Sequence, residues 1–213
     1  MPHEPCRTVS IASARLQPWV DNFRRRHGDI ALTLGRDTAT LTAADGAEAL
    51  IDVPFPPLAG GEPALESLLR HAATERHVGA ILIRKGGYGV GVFSGARLVA
   101  SKVGSSYVQG KTKAGGWSQQ RYARRRDNQS RQAYDRAADE AARVLLPHLN
   151  EFTAVATGGD KPAVEAVLAD PRLEALRPLV LPQVYAVPDP RLRVLQAFPE
   201  QFLALTIRLN DLA

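Results

Sequence analysis

The chain has a single cysteine, Cys6, among 213 residues. An intrachain disulfide is therefore excluded, no Cys/His spacing exists from which a zinc site is built, and Cys6 reads as inert. The five histidines, His3, His27, His71, His77 and His148, include no i,i+4 pair, so no metal is expected. No stretch approaches the roughly 18 consecutive apolar residues of a membrane helix, and Met1–Pro5 carries no apolar leader. The expectation is a cytoplasmic protein with no membrane partner. Acidic residues are scarce in one place above all. Between Ser101 and Tyr134, eight bases (Lys102, Lys111, Lys113, Arg121, Arg124, Arg125, Arg126, Arg131) stand against one acid, Asp127. That excess is larger than the +5 of the whole chain, so the remainder is slightly acidic and the segment points to a polyanionic partner.

What is present is an apolar content of 45%, enough for one well-packed domain, or one domain with a small appendage. Pro18, Trp19, Val20 and Phe23 predict a short amphipathic helix closed by Gly28, with Trp19 and Phe23 in the core. Three short strands follow, over Ile30–Leu34, Thr38–Thr42 and Ala49–Val53, separated by turns at Gly35-Arg36-Asp37 and Asp45-Gly46. The Pro/Gly-rich stretch Pro54–Pro63 is the best linker, which divides the chain into 1–58 (helix and β-meander) and 62–213.

Helical spacing over Glu62–His77 leads into a second meander of Val78–Ile83, Tyr88–Phe93 and Arg97–Val103, joined by Gly86-Gly87 and Gly95-Ala96. Gln129–Leu146 reads as a helix with Tyr134, Ala137, Ala138, Ala141 and Leu145 on one face and Pro147 at its end. A strand at Phe152–Ala156, a turn at Gly158-Gly159-Asp160, a helix at Pro162–Leu168 and a strand near Val180–Val187 come next. A terminal helix or strand spans about Arg191–Leu209. Three antiparallel strands followed by α-β-α-β-α is the element order of the ribonuclease H-like architecture, an α/β mixed sheet with helices on its faces.

Between the third strand of that meander and the Gln129 helix, Gly104–Asn128 reads as one loop, far longer than the usual connection of about 4–6 residues, and such loops are generally functional or disordered. Its centre runs from Lys113 through Gly115-Gly116-Trp117-Ser118-Gln119-Gln120-Arg121-Tyr122-Ala123-Arg124-Arg125-Arg126. Paired glycines let backbone amides approach a reactive carbon, and a following amide side chain can orient a water. The arginines beyond suit RNA phosphates, which fix register without reading sequence.

These residues resemble the middle domain of archaeal and eukaryotic class-I release factors, in which Gly-Gly-Gln is followed by Ser and an Arg-Phe-Ala-Arg-like basic helix start. Gly115-Gly116, Ser118 and Arg121-Tyr122-Ala123-Arg124 match without a gap, and Trp117 stands where that family has its glutamine. The closer resemblance is to the Vms-like release factors of ribosome-associated quality control, whose Gly-rich loop carries its glutamine slightly later. On that pattern Gln119 takes the catalytic place, with Gln120 as the alternative. The resemblance covers roughly Val78 to the C-terminus and includes the meander, the Tyr134 helix and Gly158-Gly159. It implies metal-independent and cofactor-independent hydrolysis of peptidyl-tRNA by a monomer in the peptidyl-transferase centre of the large ribosomal subunit. Peptidyl-tRNA and rRNA are then the partners, with Lys111, Lys113, Trp117, Arg121, Arg124, Arg125, Arg126 and Arg131 as the RNA contacts.

Plainer readings exist for each feature. Gly115–Gln120 as mere punctuation between strand and helix is disfavoured by the basic helix start beside it, and a solvated charge run by the near absence of acids. Trp117 either stacks on a base or packs the loop, with nothing to choose between them. Tyr107, Tyr122 and Tyr134 read as core or helix-face residues. Gly158-Gly159-Asp160-Lys161 reads as a tight strand-to-helix turn capped by Asp160 rather than a phosphate site. Among function classes, a noncatalytic ribosome- or tRNA-binding module using the same basic loop is the alternative. A nuclease is disfavoured, because it needs converging carboxylates and Val78–Val103 contains neither Asp nor Glu.

Overall fold

In the computed structural model the described residues are 7–60, 63–105 and 117–213, with backbone alone from 117 to 130. Strand β1 (Arg7–Ile11) precedes helix α1 (Leu16–His27), strands β2 (Ile30–Leu34), β3 (Thr38–Ala43) and β4 (Glu48–Asp52), and helix α2 (Ala64–Ala73). Strands β5 (His77–Arg84), β6 (Gly87–Ser94) and β7 (Arg97–Ser105) lead to the long helix α3 (Trp117–Leu145). Then come β8 (Ala154–Gly159), α4 (Lys161–Leu168), a 3₁₀ segment Pro171–Leu179, β9 (Val180–Tyr185), α5 (Leu192–Ala197), α6 (Pro199–Phe202) and β10 (Leu205–Leu209).

The chain forms two compact units, Met1–Glu75 with Pro199–Ala213, and Arg76–Phe198. In the first, an antiparallel sheet runs in the order β1-β10-β4-β3-β2. Helix α1 buries Leu16, Val20 and Phe23, and ends at Gly28, whose φ of 83° suits a residue without Cβ and whose N–H reaches the Arg24 carbonyl at 2.9 Å. The expected helix and meander are present, the meander within about a residue. Two strands lie outside that expectation. Strand β10 alternates buried Leu205, Ile207 and Leu209 with Thr206 and Arg208 and inserts between β1 and β4. The first unit therefore holds α2 and the chain's last segment, whereas the linker-based division assigned both to 62–213. Local composition marks flexible stretches, but a strand returning from so far along the chain is paired by burial, which composition does not reveal.

Two side chains fasten β10. The Arg208 guanidinium donates to both Asp52 carboxylate oxygens, at 3.1 and 2.7 Å. Buried Asn210 accepts from the Glu48 N–H at 3.0 Å and donates to the Gly46 carbonyl at 2.9 Å, tying the end of β10 to the β3–β4 turn.

The second unit holds a mixed sheet in the order β7-β6-β5-β8-β9, antiparallel from β5 to β7 and parallel from β5 through β8 to β9. This is the ribonuclease H-like arrangement expected. Strand β6 reads Gly-Tyr-Gly-Val-Gly-Val, and the alternation divides its faces. Tyr88, Val90 and Val92 join Ala137, Ala138 and Ala141 of α3 and Val164 of α4 in one core. On the glycine side, a Cβ at Gly91 would meet Leu98 at 2.8 Å and Leu195 of α5 at 3.2 Å, so glycine lets α5 lie against the sheet.

Helix α3 begins at Trp117 rather than Gln129, and β7 reaches Ser105, so much of the expected Gly104–Asn128 loop is regular structure. Gln-Gln-Arg-Tyr-Ala-Arg-Arg-Arg is dominated by good helix formers, and its polarity disguised that propensity. Helix α2 is shorter than the expected Glu62–His77, and Arg191–Leu209 resolves into two short helices and β10.

Asn210→Ala leaves the Glu48 N–H and the Gly46 carbonyl without their partner. Its expected cost is about 1–3 kcal/mol, measured by urea denaturation of the full chain, while Arg208→Lys costs less.

Candidate functional site

The candidate loop joins β7 to α3. Lys111, Lys113, Gly115 and Gly116 lie outside the described residues. Trp117, Gln119, Gln120, Arg121, Arg124, Arg125 and Arg126 occupy the first turns of α3, where the backbone alone is described, and Arg131 is exposed on the same helix. Both glutamines thus belong to a helix start rather than to the open loop expected for them. The first four N–H groups of an α-helix have no intrahelical acceptor, and the macrodipole makes that end electropositive.

Tyr88 packs against the β7 stem of the loop. A Cβ on Gly104, near the end of β7, would collide with the Tyr88 ring, so the ring lies directly against the Gly104 backbone. The same residue belongs to the core that α3 completes. Burial, and then the nearby Glu140 carboxylate, push the Tyr88 hydroxyl above its ordinary pKa, so it stays protonated at neutral pH. Glu140 is itself engaged by Arg143 Nε at 2.7 Å. Further along α3, Asp139 accepts from Arg172 at 2.6 Å, and Arg172 also grips Asp170 through Nε and Nη2 at 2.9 and 2.7 Å. The Arg172 guanidinium and backbone N–H bring the Asp170 carboxyl down to about 2.

On the other side of the β7 stem, Gly86, Ser105, Asp189 and Arg191 border a cleft of about 270 Å³. Arg84 organises its wall, donating to the Val187 carbonyl at 2.8 Å and standing 3.8 Å from Asp160 and 3.9 Å from Asp189. Gly158-Gly159-Asp160 makes the tight turn expected, with Gly159 at φ 103° where a Cβ would strike the Ile83 carbonyl. The expected side-chain cap does not form. Pro162 removes one N–H that Asp160 would have capped, and the Ala163 and Val164 N–H groups go to the Asp160 main-chain carbonyl at 2.9 and 3.0 Å. Phe23 is core as expected, whereas Trp19 is half-buried, as is Tyr134 against the α3 core. Among the described residues, no group of three or more His, Cys, Asp or Glu is placed to hold a metal ion.

Sequence reasoning missed Tyr88 and Gly104 as supports of the loop. The signal was the Gly-Tyr-Gly-Val-Gly-Val alternation, which marks one crowded and one bare face of β6.

A family model described as the Actinobacteria/chloroflexi VLRF1 release factor matches residues 76–208. Over 103 residues, 47% of this chain, the sequence is 34% identical to peptide chain release factor subunit 1 of Thermococcus onnurineus and, equally, to that of Pyrococcus abyssi. The match covers 24% of each, so the chain spans about a quarter of the length of these curated relatives. Among solved structures it is similar to the archaeal translation termination factor aRF1, with a TM-score of 0.46 and 15% identity, covering 88% of this chain and 55% of that one.

Gly104→Ala forces the Tyr88 ring out of place and is expected to cost about 1–3 kcal/mol in urea denaturation. Tyr88→Leu in the Gly104→Ala background recovers part of that loss, and a double-mutant cycle reads the coupling. Asp170 is depressed below its ordinary 3.8, so its contribution to stability is complete above about pH 4 and is lost as pH falls toward 2. Asp170→Asn therefore flattens stability against pH between about 4 and 2, as read by melting temperature at stepped pH.

Proposed function

This chain belongs to the Actinobacteria/chloroflexi VLRF1 release factor family, and from that membership we propose that it hydrolyses the ester of peptidyl-tRNA in the peptidyl-transferase centre of the large ribosomal subunit, in ribosome rescue or quality control. The observation that carries the reading is the helix start. The matched region contains both stems of the loop, and the loop ends on the first turn of α3, which bears Gln119 and Gln120 and is followed at once by Arg121 and Arg124–Arg126; the N–H groups of a first helical turn have no intrahelical acceptor.

In this reading a water attacks the ester carbonyl carbon, and the oxyanion that develops accepts from a backbone N–H near Gln119. One such contact is worth about 3 kcal/mol. The tetrahedral centre then collapses, breaking the bond to the tRNA ribose oxygen, which takes the proton the water gives up. The products are a free peptide carboxyl and tRNA. The glutamine side chain admits water and excludes bulkier nucleophiles, Gln119 holding this place and Gln120 being the alternative. Gly115 and Gly116 let the backbone approach the carbonyl. No covalent intermediate, metal or cofactor is required, and the ribosome supplies the rest of the catalytic surroundings. Lys111, Lys113, Arg121, Arg124, Arg125, Arg126 and Arg131 contact rRNA and tRNA phosphates, and Trp117 stacks on a base or packs the loop. The protein acts in the cytoplasm as a monomer. No helix among the described residues is long and apolar enough to cross a membrane.

The test is release of radiolabelled peptide from purified large subunits carrying peptidyl-tRNA. Gln119→Ala is expected to bind normally and to release about a hundredfold or more slowly. Arg125→Ala with Arg126→Ala is expected to weaken binding and reduce its salt dependence, with slower release that saturating protein restores. Release at the wild-type rate by both Gln119→Ala and Gln120→Ala removes the glutamine mechanism, and tight binding without any release by the wild type makes the chain a binding module instead.

A further inference from the structure

The first unit carries a second basic surface, which the proposed hydrolysis does not use. At a period of roughly 100° per residue, Arg15 at the start of α1, Trp19, Asn22 and Arg26 line up along one side of the helix. That side borders edge strand β1, where Arg7 and Val9 complete a groove of about 220 Å³ with Trp19, Asn22, Phe23 and Arg26. Among the described residues, none of the side chains lining it is acidic, the others being His27, Leu209 and Ala213. Arg7, Arg15, Arg24, Arg25 and Arg26 are all exposed, and none forms an ion pair with a carboxylate among the described residues. Asp21 points its charge elsewhere, on another side of the helix and bonded to Gln17 at 2.9 Å, and Asp45 is taken by His27 at 2.9 Å.

The groove also has a rigid aromatic wall. Trp19 stacks on Phe23 with ring centres 5.4 Å apart and planes inclined by 21°, and Phe23 meets His27 at 4.7 Å. Phe23 is buried and fixes the column, while Trp19 at its end is half-exposed. The volume is below the range of about 300 Å³ at which enclosed small-molecule sites begin, so the groove suits one planar group within a longer chain.

We infer that the groove between α1 and β1 binds an unpaired stretch of RNA, with one base stacked on Trp19 and the neighbouring phosphates held by Arg7 and Arg26. A half-exposed indole beside guanidinium groups matches stacking on any base, and Asn22 offers both a donor and an acceptor to a base edge. An acidic peptide would satisfy the arginines and leave the indole and the amide without a matching group.

The test needs no ribosome and so stands or falls apart from the hydrolase reading. The full chain carrying Arg125→Ala and Arg126→Ala, which reduces binding through the loop, is titrated against a fluorescein-labelled, unstructured 12-nucleotide RNA, with anisotropy read at several salt concentrations. Adding Arg7→Glu and Arg26→Glu is expected to weaken binding about tenfold or more and to lower the salt slope by at least about 1.4, which is two phosphate contacts on a single strand. Trp19→Leu is expected to weaken it about fivefold or more, and Trp19→Phe, which keeps a ring and the core packing, to retain most of the affinity. Unchanged RNA affinity after charge reversal, or in a folded Trp19→Leu protein, overturns the inference. So does competition by polyglutamate as effective as that by unlabelled RNA, or tighter binding of a duplex than of the single strand.

Discussion

The constraint on which the second unit depends is the bare face of β6. Gly89 and Gly91 leave no side chains there on one side of an interior strand, so Pro190 and Leu195 of α5 lie close over it. The same alternation puts Tyr88, Val90 and Val92 on the other side, where they form the seat for α3. The alanines of α3 are the complement of that seat, since Ala137, Ala138 and Ala141 bring its axis near to the large residues of β6. A strand with bulk on both faces would push one helix layer away, and the strand-to-helix connection would change span. Tyr88 then joins the core to the β7 stem of the candidate loop. Its ring covers the backbone of Gly104, where the chain leaves the sheet, and it shares a core with the helix by which the chain returns.

A helix so anchored over its C-terminal half runs unbroken back to its N-terminal turns. Ion pairs along the anchored half, from Glu140 to Arg143 and from Asp139 to Arg172, are exposed and contribute little energy singly. Arg172 differs in bridging two carboxylates, Asp139 of α3 and Asp170 beside the 3₁₀ segment. The chemistry proposed for the loop demands little of the protein: free N–H groups, one amide side chain, and positive charge close by in the sequence.

What could be read in the sequence follows from the range of the interactions involved. Strand β2 and the positions of β3 to β7 were legible because alternation and Gly turns are local signals, and the mixed sheet followed from element order. The start of α3 was not, because Gln119–Arg126 is polar and resembles a loop until helix propensity is weighed. Strands β1 and β10 were not, because each is stabilised by partners far away in the chain, Arg7 opposite Leu209 and Thr206 opposite Asp52. The motif proposed for the site, Gly115 to Arg126, is contiguous and so stands out in the sequence, whereas Tyr88 and Gly104 meet only through cross-strand register. The groove on α1 was hidden for the same reason: Arg24–Arg26 is visible as a run, but Arg7 belongs beside it only once β1 exists.

The arginines sort by what surrounds them. Arg84, Arg143, Arg172, Arg177 and Arg208 have carboxylates or main-chain carbonyls within hydrogen-bond distance, and their job is to hold elements together. The five along α1 and β1 have no carboxylate partner among the described residues, although Asp21, Asp29 and Asp45 are close in sequence. A fold that merely needed solubility would intersperse acids with these bases. Positive charge kept unpaired beside a half-exposed indole is instead what a polyanion of stacked rings requires. The excess over Ser101–Tyr134 obeys the same logic in the other unit, so the slight acidity of the remaining chain is an average over paired regions and a second unpaired patch, and net charge alone conceals it.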